Sequence, residues 1–105
     1  MQAARGPEPE RFAGLPREQI LGFLVPVATT RRARLLGLAL LDRAEAGEGL
    51  LIPDCCSVHT LGMRFRLDLV FLDQAGRVIE LRRSVPPRRL ARSGGASSVL
   101  ELPSP

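Results

Sequence analysis

The sequence has no lysine, asparagine, tyrosine or tryptophan, and it has only one histidine, two cysteines and four phenylalanines. Proteins that read single-stranded nucleic acid need aromatic side chains for base stacking, so this shortage argues against that class. The two cysteines, Cys55 and Cys56, are adjacent and too few for a disulfide framework, which favours a reducing compartment. No apolar run approaches the ~20 residues of a membrane-spanning helix. We therefore expect a cytoplasmic protein with no membrane segment.

The basic charge of the chain comes from arginine alone. Fifteen arginines give a formal net charge of +4, which suits a polyanionic partner. Abundant alanine, glycine, proline and leucine beside the missing lysine are also typical of a GC-rich coding bias, which explains the arginines without selection for charge. Non-specific nucleic-acid binding is therefore a minority hypothesis.

A chain of 105 residues is the length of one ordinary domain. Residues 1–19 hold three prolines and mixed charges, which predicts a loose N-terminal arm before a single β-rich domain at 20–105. Residues 20–28 are typical of a strand. Residues 29–47 run from threonines able to cap a helix to Gly47, which predicts one helix with one apolar face, formed by Leu35, Leu38, Ala39 and Leu41.

Strict alternation of apolar residues from Phe65 to Phe71 predicts a half-buried strand. The following "DQAG" supplies a turn at Gly76, "RVIEL" returns as the hairpin partner, and "SVLELP" is a last strand. One helix with five or six short strands predicts a mainly β fold, α+β at the margin. We expect a compact, mostly antiparallel, sandwich-like or barrel-like sheet.

The cysteines and His59 invite a thiolate–imidazole dyad or a zinc site. In a straight strand, however, the Cα atoms of Cys55 and His59 lie ~13 Å apart, which excludes direct contact between their side chains. Zinc needs three or four ligands, so carboxylates would have to complete the set, and we expect no metal site. There is no glycine-rich phosphate loop or dinucleotide fingerprint, so we expect no cofactor.

Two polar features remain as candidate sites. A hydrogen bond from the His59 imidazole N–H to the Asp68 carboxylate would fix the tautomer of His59, as in a general-base pair, although a histidine that satisfies a backbone group is the more frequent case. Five arginines between positions 82 and 92, among them Arg88 and Arg89, form an edge suited to an anion or an acidic partner. A solvated loop is the plainer interpretation of this edge.

The segments "TRRARLLGL", "GEGLLIPDCCSVHTLGMRFRLDLVFLDQAGRVI" and "VLELP" resemble domain-of-unknown-function family 192, a widespread prokaryotic family. The similarity covers residues 25–103, and its most specific part is "HTxGMRFxxDxxFLDxxGxV". The resemblance implies a compact β-rich domain with no established activity. Among the family's marked positions, four polar residues lack an evident structural reason and are candidates for a binding cluster: Arg34, His59, Arg64 and Asp68.

The chain departs from the family pattern in three places. Arg66 stands where the family usually has proline, and "PPRR" replaces a proline-aromatic-arginine sequence. Members of the family usually continue past the position of Pro105 into a further C-terminal segment and a final strand, which this sequence lacks, so we expect an open sheet edge. The N-terminal arm could cover such an edge, a second copy in a homodimer could cover it, or it could stay uncovered.

Three functional hypotheses follow. The leading one is a small non-enzymatic binding or accessory module that uses a polar patch near His59, Arg64 and Asp68 and the arginine-rich edge at 82–92, with an acidic protein or small anion as partner. The rival is an enzyme for a small anionic substrate, in which His59 is the acid or base, Asp68 orients it, and Arg34 or Arg64 holds the anion. Non-specific nucleic-acid binding through arginines is the third.

Overall fold

The computed structural model describes residues 8–105, and strands account for most of its regular structure. A 3-10 turn lies at Glu10–Phe12, and two short helices follow, α1 (Arg31–Leu36) and α2 (Arg43–Ala46). The strands are β1 (Arg17–Ile20), β2 (Phe23–Pro26), β3 (Leu50–Pro53), β4 (Ser57–His59), β5 (Leu67–Leu72), β6 (Val78–Val85), β7 (Leu90–Arg92) and β8 (Ser98–Pro103).

The centre of the fold is a four-stranded antiparallel sheet in the order β3-β8-β5-β6. Strands β1 and β2 form a hairpin, and β4 pairs with β7, both antiparallel. A parallel bridge between Val27 and Leu51 joins the end of the hairpin to the sheet. The predicted mainly β, mostly antiparallel fold is confirmed.

Each face of the central sheet has its own apolar layer. One face packs against the β1-β2 hairpin through a smaller cluster that includes Val25, Val70 and Leu100. The other face carries the larger core, to which both helices and the β4-β7 pair contribute. Because both faces are covered, all six residues of β5 are buried. The predicted half-burial of this strand is therefore wrong.

The predicted single helix over residues 29–47 is also wrong. Helix α1 begins after Thr30, whose hydroxyl accepts a hydrogen bond from the Ala33 N–H, and it ends at Gly37, where φ is 52°. Leu35 is 69% exposed, whereas Leu38, Ala39 and Leu41 are buried in the break between the helices and Leu40 points to solvent. The second helix starts anew with a capping box between Asp42 and Glu45.

The N-terminal part is more ordered than predicted. Residues 20–28 are not one strand, because a turn at Leu21 and Gly22, both with positive φ, separates β1 from β2. Phe12 is buried in the larger core. The described part of the expected arm, residues 8–19, therefore carries a 3-10 turn and most of β1, and the rest of that arm lies outside the described residues.

The β5-β6 hairpin forms as predicted. Gly76 has a φ of 80°, and the Asp73 Oδ1 accepts hydrogen bonds from the backbone N–H groups of Ala75 and Arg77, each at 2.9 Å. Strand β6 then forms one edge of the central sheet. A homodimer through this edge stays a prediction.

Candidate functional site

A pocket of about 100 Å³ lies where the end of α1 faces β4 and β8. Apolar side chains, among them Ile52 and Met63, form much of its wall. The polar residues that line it are Arg34, Cys55, Ser57, His59 and Glu101, and Gly37 lies among them. They come from α1, β4 with the loop before it, and β8, which the fold brings together.

Glu101 is the unusual residue of this pocket. It lies on β8 in the middle of the sheet, opposite Leu50 on one side and Leu69 on the other. Only 3% of its surface is exposed. Burial raises the pKa of Glu101 to about 7, and a hydrogen bond from the Leu38 backbone acts in the opposite direction. Within residues 8–105, its Oε1 atom has no hydrogen-bond partner.

Gly37 lies directly against this carboxyl group. A Cβ atom at position 37 would be 2.7 Å from Glu101 Oε1, closer than real contacts allow. Its φ of 52° and ψ of −127° also disfavour any residue with a side chain. Glycine at position 37 therefore ends helix α1, and its lack of a side chain allows Glu101 Oε1 to lie close to the backbone there.

His59 is half-buried at the end of β4. Its Nδ1 atom accepts a hydrogen bond from the Leu61 backbone N–H at 3.2 Å. A neutral imidazole that accepts at Nδ1 carries its proton on Nε2. The ring is therefore held in one tautomer by the backbone of its own loop, with Nε2–H as a donor.

Arg34 ties α1 to the loop after β3. Its guanidinium donates hydrogen bonds to the carbonyl oxygen of Pro53 and, at 3.1 Å, to that of Asp54. The group carries more N–H donors than these two bonds use. Arg34 is thus a cation held in place at the pocket, with donors left for a ligand.

The two cysteines are free thiols. The Cys55 thiol donates to the Ser57 carbonyl oxygen at 3.1 Å, so a backbone group engages it at the edge of the pocket. In the described range 8–105, no group of three or more His, Cys, Asp or Glu side chains is placed to hold a metal ion.

The predicted polar cluster divides into separate parts. Arg34 and His59 line the pocket, but Arg64 pairs with Asp42 at 2.9 Å on the surface. Asp68 is buried elsewhere, where its Oδ1 accepts from the Ser84 N–H at 2.9 Å and from the Ser104 hydroxyl at 2.6 Å. The proposed pairing of His59 with Asp68 is therefore corrected, because each side chain has a different partner.

The arginine-rich edge is held by a buried threonine. The Thr60 hydroxyl donates to the Pro86 carbonyl oxygen and accepts from the Arg89 N–H, each at 2.8 Å, and the Thr60 carbonyl oxygen accepts from the Arg88 N–H at 3.2 Å. The side chains of Arg88 and Arg89 are exposed on this turn. Their role in binding an anion or acidic partner stays a prediction.

Glu101 was missed in the sequence because "SVLELP" is also compatible with a half-buried strand that turns its glutamate to water. The available signal was a single acid flanked by Leu100 and Leu102 in an otherwise apolar run. That signal becomes informative only when both faces of the sheet are known to be covered.

Fold and pocket together define a small β-rich domain with a buried acid in a candidate ligand site. The model of the DUF192 family, described as "Uncharacterized ACR", matches residues 15–104, and the chain belongs to this family. The match confirms the resemblance seen in the sequence.

A curated relative and a solved structure are similar to the chain. A UPF0127 protein of Thermococcus sibiricus is 30% identical over 83 residues; the match covers 75% of this chain and 54% of the relative, so the chain spans about half the length of that relative. A crystal structure of a protein of unknown function from Novosphingobium aromaticivorans has a TM-score of 0.66 at 17% identity, with 94% of this chain and 88% of that chain covered. The structural similarity shows a shared fold.

The described helices are all short, and none is long and apolar enough to cross a membrane.

Proposed function

We propose that this domain is a small-molecule-binding module whose ligand occupies the pocket at Glu101. The observation that supports the proposal best is the Oε1 atom of Glu101, which has no hydrogen-bond partner among residues 8–105 although the residue is only 3% exposed. A buried polar group without a partner destabilises a fold by roughly 1–3 kcal/mol. A ligand that bonds to Oε1 would offset this loss of stability. An apolar residue at position 101 would avoid the loss altogether, so the presence of a glutamate there favours a role in binding.

The surroundings of Glu101 also favour a ligand. Arg34 and His59 are each fixed by backbone hydrogen bonds at the same pocket, so both present donors without a large loss of side-chain entropy on binding. The proposal keeps the binding-module hypothesis but moves its site. The pocket of Arg34, His59 and Glu101 replaces the patch of His59, Arg64 and Asp68.

An NMR screen tests this proposal. Uniformly ¹⁵N-labelled protein is titrated with a library of small polar compounds sorted by charge. A ligand of this site shifts the amide signals of Gly37, Leu38 and His59 in a saturable manner. Its affinity falls roughly tenfold or more in Glu101→Gln, since hydrogen bonds to charged groups contribute more than neutral ones.

The matched control is Glu18→Gln, which makes the same chemical change at an exposed residue of β1 and leaves the affinity unchanged. The proposal is contradicted when no compound shifts the pocket amides. It is also contradicted when the two variants weaken binding equally.

A second candidate function is acid–base catalysis on a small anionic substrate. It is favoured by the presence of His59 and Glu101 in one pocket, because a carboxyl group with a pKa of about 7 suits a general acid or base at neutral pH. Analysis of the bound compound after incubation separates the two candidates. A binding module returns it unchanged, whereas an enzyme converts it at a rate that both His59→Gln and Glu101→Gln lower.

A further inference from the structure

We infer that the ligand of this pocket is a small zwitterion, an amino-carboxylate whose ammonium group bonds to Glu101 and whose carboxylate faces Arg34 and His59. This inference rests on the proposed function, and it adds the chemical class of the ligand. Glu101 forms the buried, inner end of the pocket, and Arg34 and His59, which are half-buried, form its outer end.

The inner end calls for a cationic donor. Glu101 Oε1 has no partner within residues 8–105, and its carboxyl group is nearly inaccessible to water. A neutral donor would complete the hydrogen bond but would do little to stabilise the ionised form of the carboxyl group, which burial disfavours. An ammonium group supplies both the N–H donor and the opposite charge, in a charge-assisted hydrogen bond.

The outer end calls for an anion. The guanidinium of Arg34 is half-buried and is oriented by its bonds to the Pro53 and Asp54 carbonyl oxygens. His59 carries its proton on Nε2, because Nδ1 accepts from Leu61. Both groups are donors, and arginine matches a carboxylate especially well. A ligand with only a positive charge would be repelled by Arg34, and a ligand with only a negative charge would be repelled by Glu101.

The size of the pocket limits the ligand further. Its volume of about 100 Å³ has room for a small group of several non-hydrogen atoms, since a cavity of roughly 10–15 Å³ already holds one water. Glycine, or the amino-carboxylate head of a larger molecule, is of this size.

Three probes that differ in charge test the inference by NMR titration: glycine carries both charges, methylammonium only the positive one, and acetate only the negative one. Glycine should shift the amides of Gly37, Leu38 and His59 and bind at least roughly tenfold more tightly than either other probe. Glu101→Gln should weaken glycine binding by roughly tenfold or more and should not weaken acetate binding, because it removes a charge that repels acetate, and Glu18→Gln should change neither.

Gly37→Ala provides a second variant in case Glu101→Gln does not fold. Its methyl group would lie 2.7 Å from Glu101 Oε1, so it should also weaken glycine binding. Gly47→Ala is its control, because Gly47 ends α2 with φ 59° and ψ −135° and nothing lies within 4 Å of an added Cβ atom.

The outcomes separate the ligand class from the site. If acetate or methylammonium binds as tightly as glycine at the same amides, the zwitterion is wrong and the pocket remains a binding site. The same conclusion follows if uncharged library compounds bind there and glycine does not. If no compound of any charge shifts these amides, the ligand class and the proposed function both fail.

Discussion

The Oε1 atom of Glu101 lies 2.7 Å from the position that a Cβ atom would occupy at Gly37. The two residues are far apart in the sequence, one at the end of α1 and the other in the middle of β8. The helix end and the buried acid are thus fitted to each other, and the pocket depends on both.

Gly37→Ala should destabilise the protein more than Gly47→Ala. Both glycines end a helix with nearly the same backbone angles, so both variants carry a similar strain of roughly 1–3 kcal/mol. Only the Gly37 variant also pushes against Glu101 Oε1. Urea unfolding of the two variants measures the difference, and equal losses of stability would show that the contact with Glu101 has no energetic weight.

The free energy of unfolding should depend on the protonation of Glu101. Its pKa is raised from 4.5 to about 7 in the folded protein, so the folded state holds this proton more tightly than the unfolded state. The resulting stabilisation is fully present below pH 4.5, is lost as the pH rises toward about 7, and amounts to about 3 kcal/mol at most.

Urea unfolding at a series of pH values measures this loss, with Glu101→Gln as the variant that removes it and Glu18→Gln as the control that retains it. If the free energy of unfolding of Glu101→Gln changes with pH as it does in the wild type between pH 4.5 and 7, the pH dependence comes from other groups and the prediction is wrong.

Asp68→Ala should destabilise the fold without affecting His59. The substitution leaves the Ser84 N–H and the Ser104 hydroxyl without their acceptor, which costs roughly 1–3 kcal/mol. The imidazole signals of His59 should keep their positions in the NMR spectrum, because its Nδ1 bonds to Leu61. A large change in these signals would show that Asp68 and His59 are coupled after all, contrary to the separate partners described above.

Thr60→Val should loosen the arginine-rich turn. The new side chain has a similar shape but cannot donate to the Pro86 carbonyl oxygen or accept from the Arg89 N–H, and residue 60 is fully buried. We expect a loss of roughly 1–3 kcal/mol and faster hydrogen exchange at Arg89. Thr29→Val, at an exposed position, is the control and should be nearly neutral. Equal stability of the two variants would contradict the anchoring role of Thr60.

Local signals predicted the β-rich part of the fold well. The alternation from Phe65 to Phe71 and the turn at Gly76 are short-range features, and the β5-β6 hairpin follows from them. Helix α1 was predicted too long for a physical reason. Leu38 suits a helix by its own propensity, but Gly37 adopts a backbone conformation that ends the helix and lies against Glu101 Oε1, a contact between segments that are distant in the sequence.

The site was less predictable, because it depends on contacts between distant segments. Arg34 and His59 were identified as candidates, and both line the pocket. Asp68 was assigned to the same cluster, yet its partners come from β6 and from the end of the chain. Glu101 could not be identified from the sequence, because the sequence does not show that both faces of its strand are buried. Its importance arises from the burial of both faces of the sheet.

The most direct test of the account is the pKa of the Glu101 carboxyl group, measured by following its side-chain carbonyl carbon in a ¹³C NMR titration of the free protein. We predict a pKa of about 7, because the carboxyl group is buried and its Oε1 atom has no hydrogen-bond partner among residues 8–105. A pKa near the ordinary 4.5 would mean that the group is solvated or already paired, and it would contradict the ligand site proposed here.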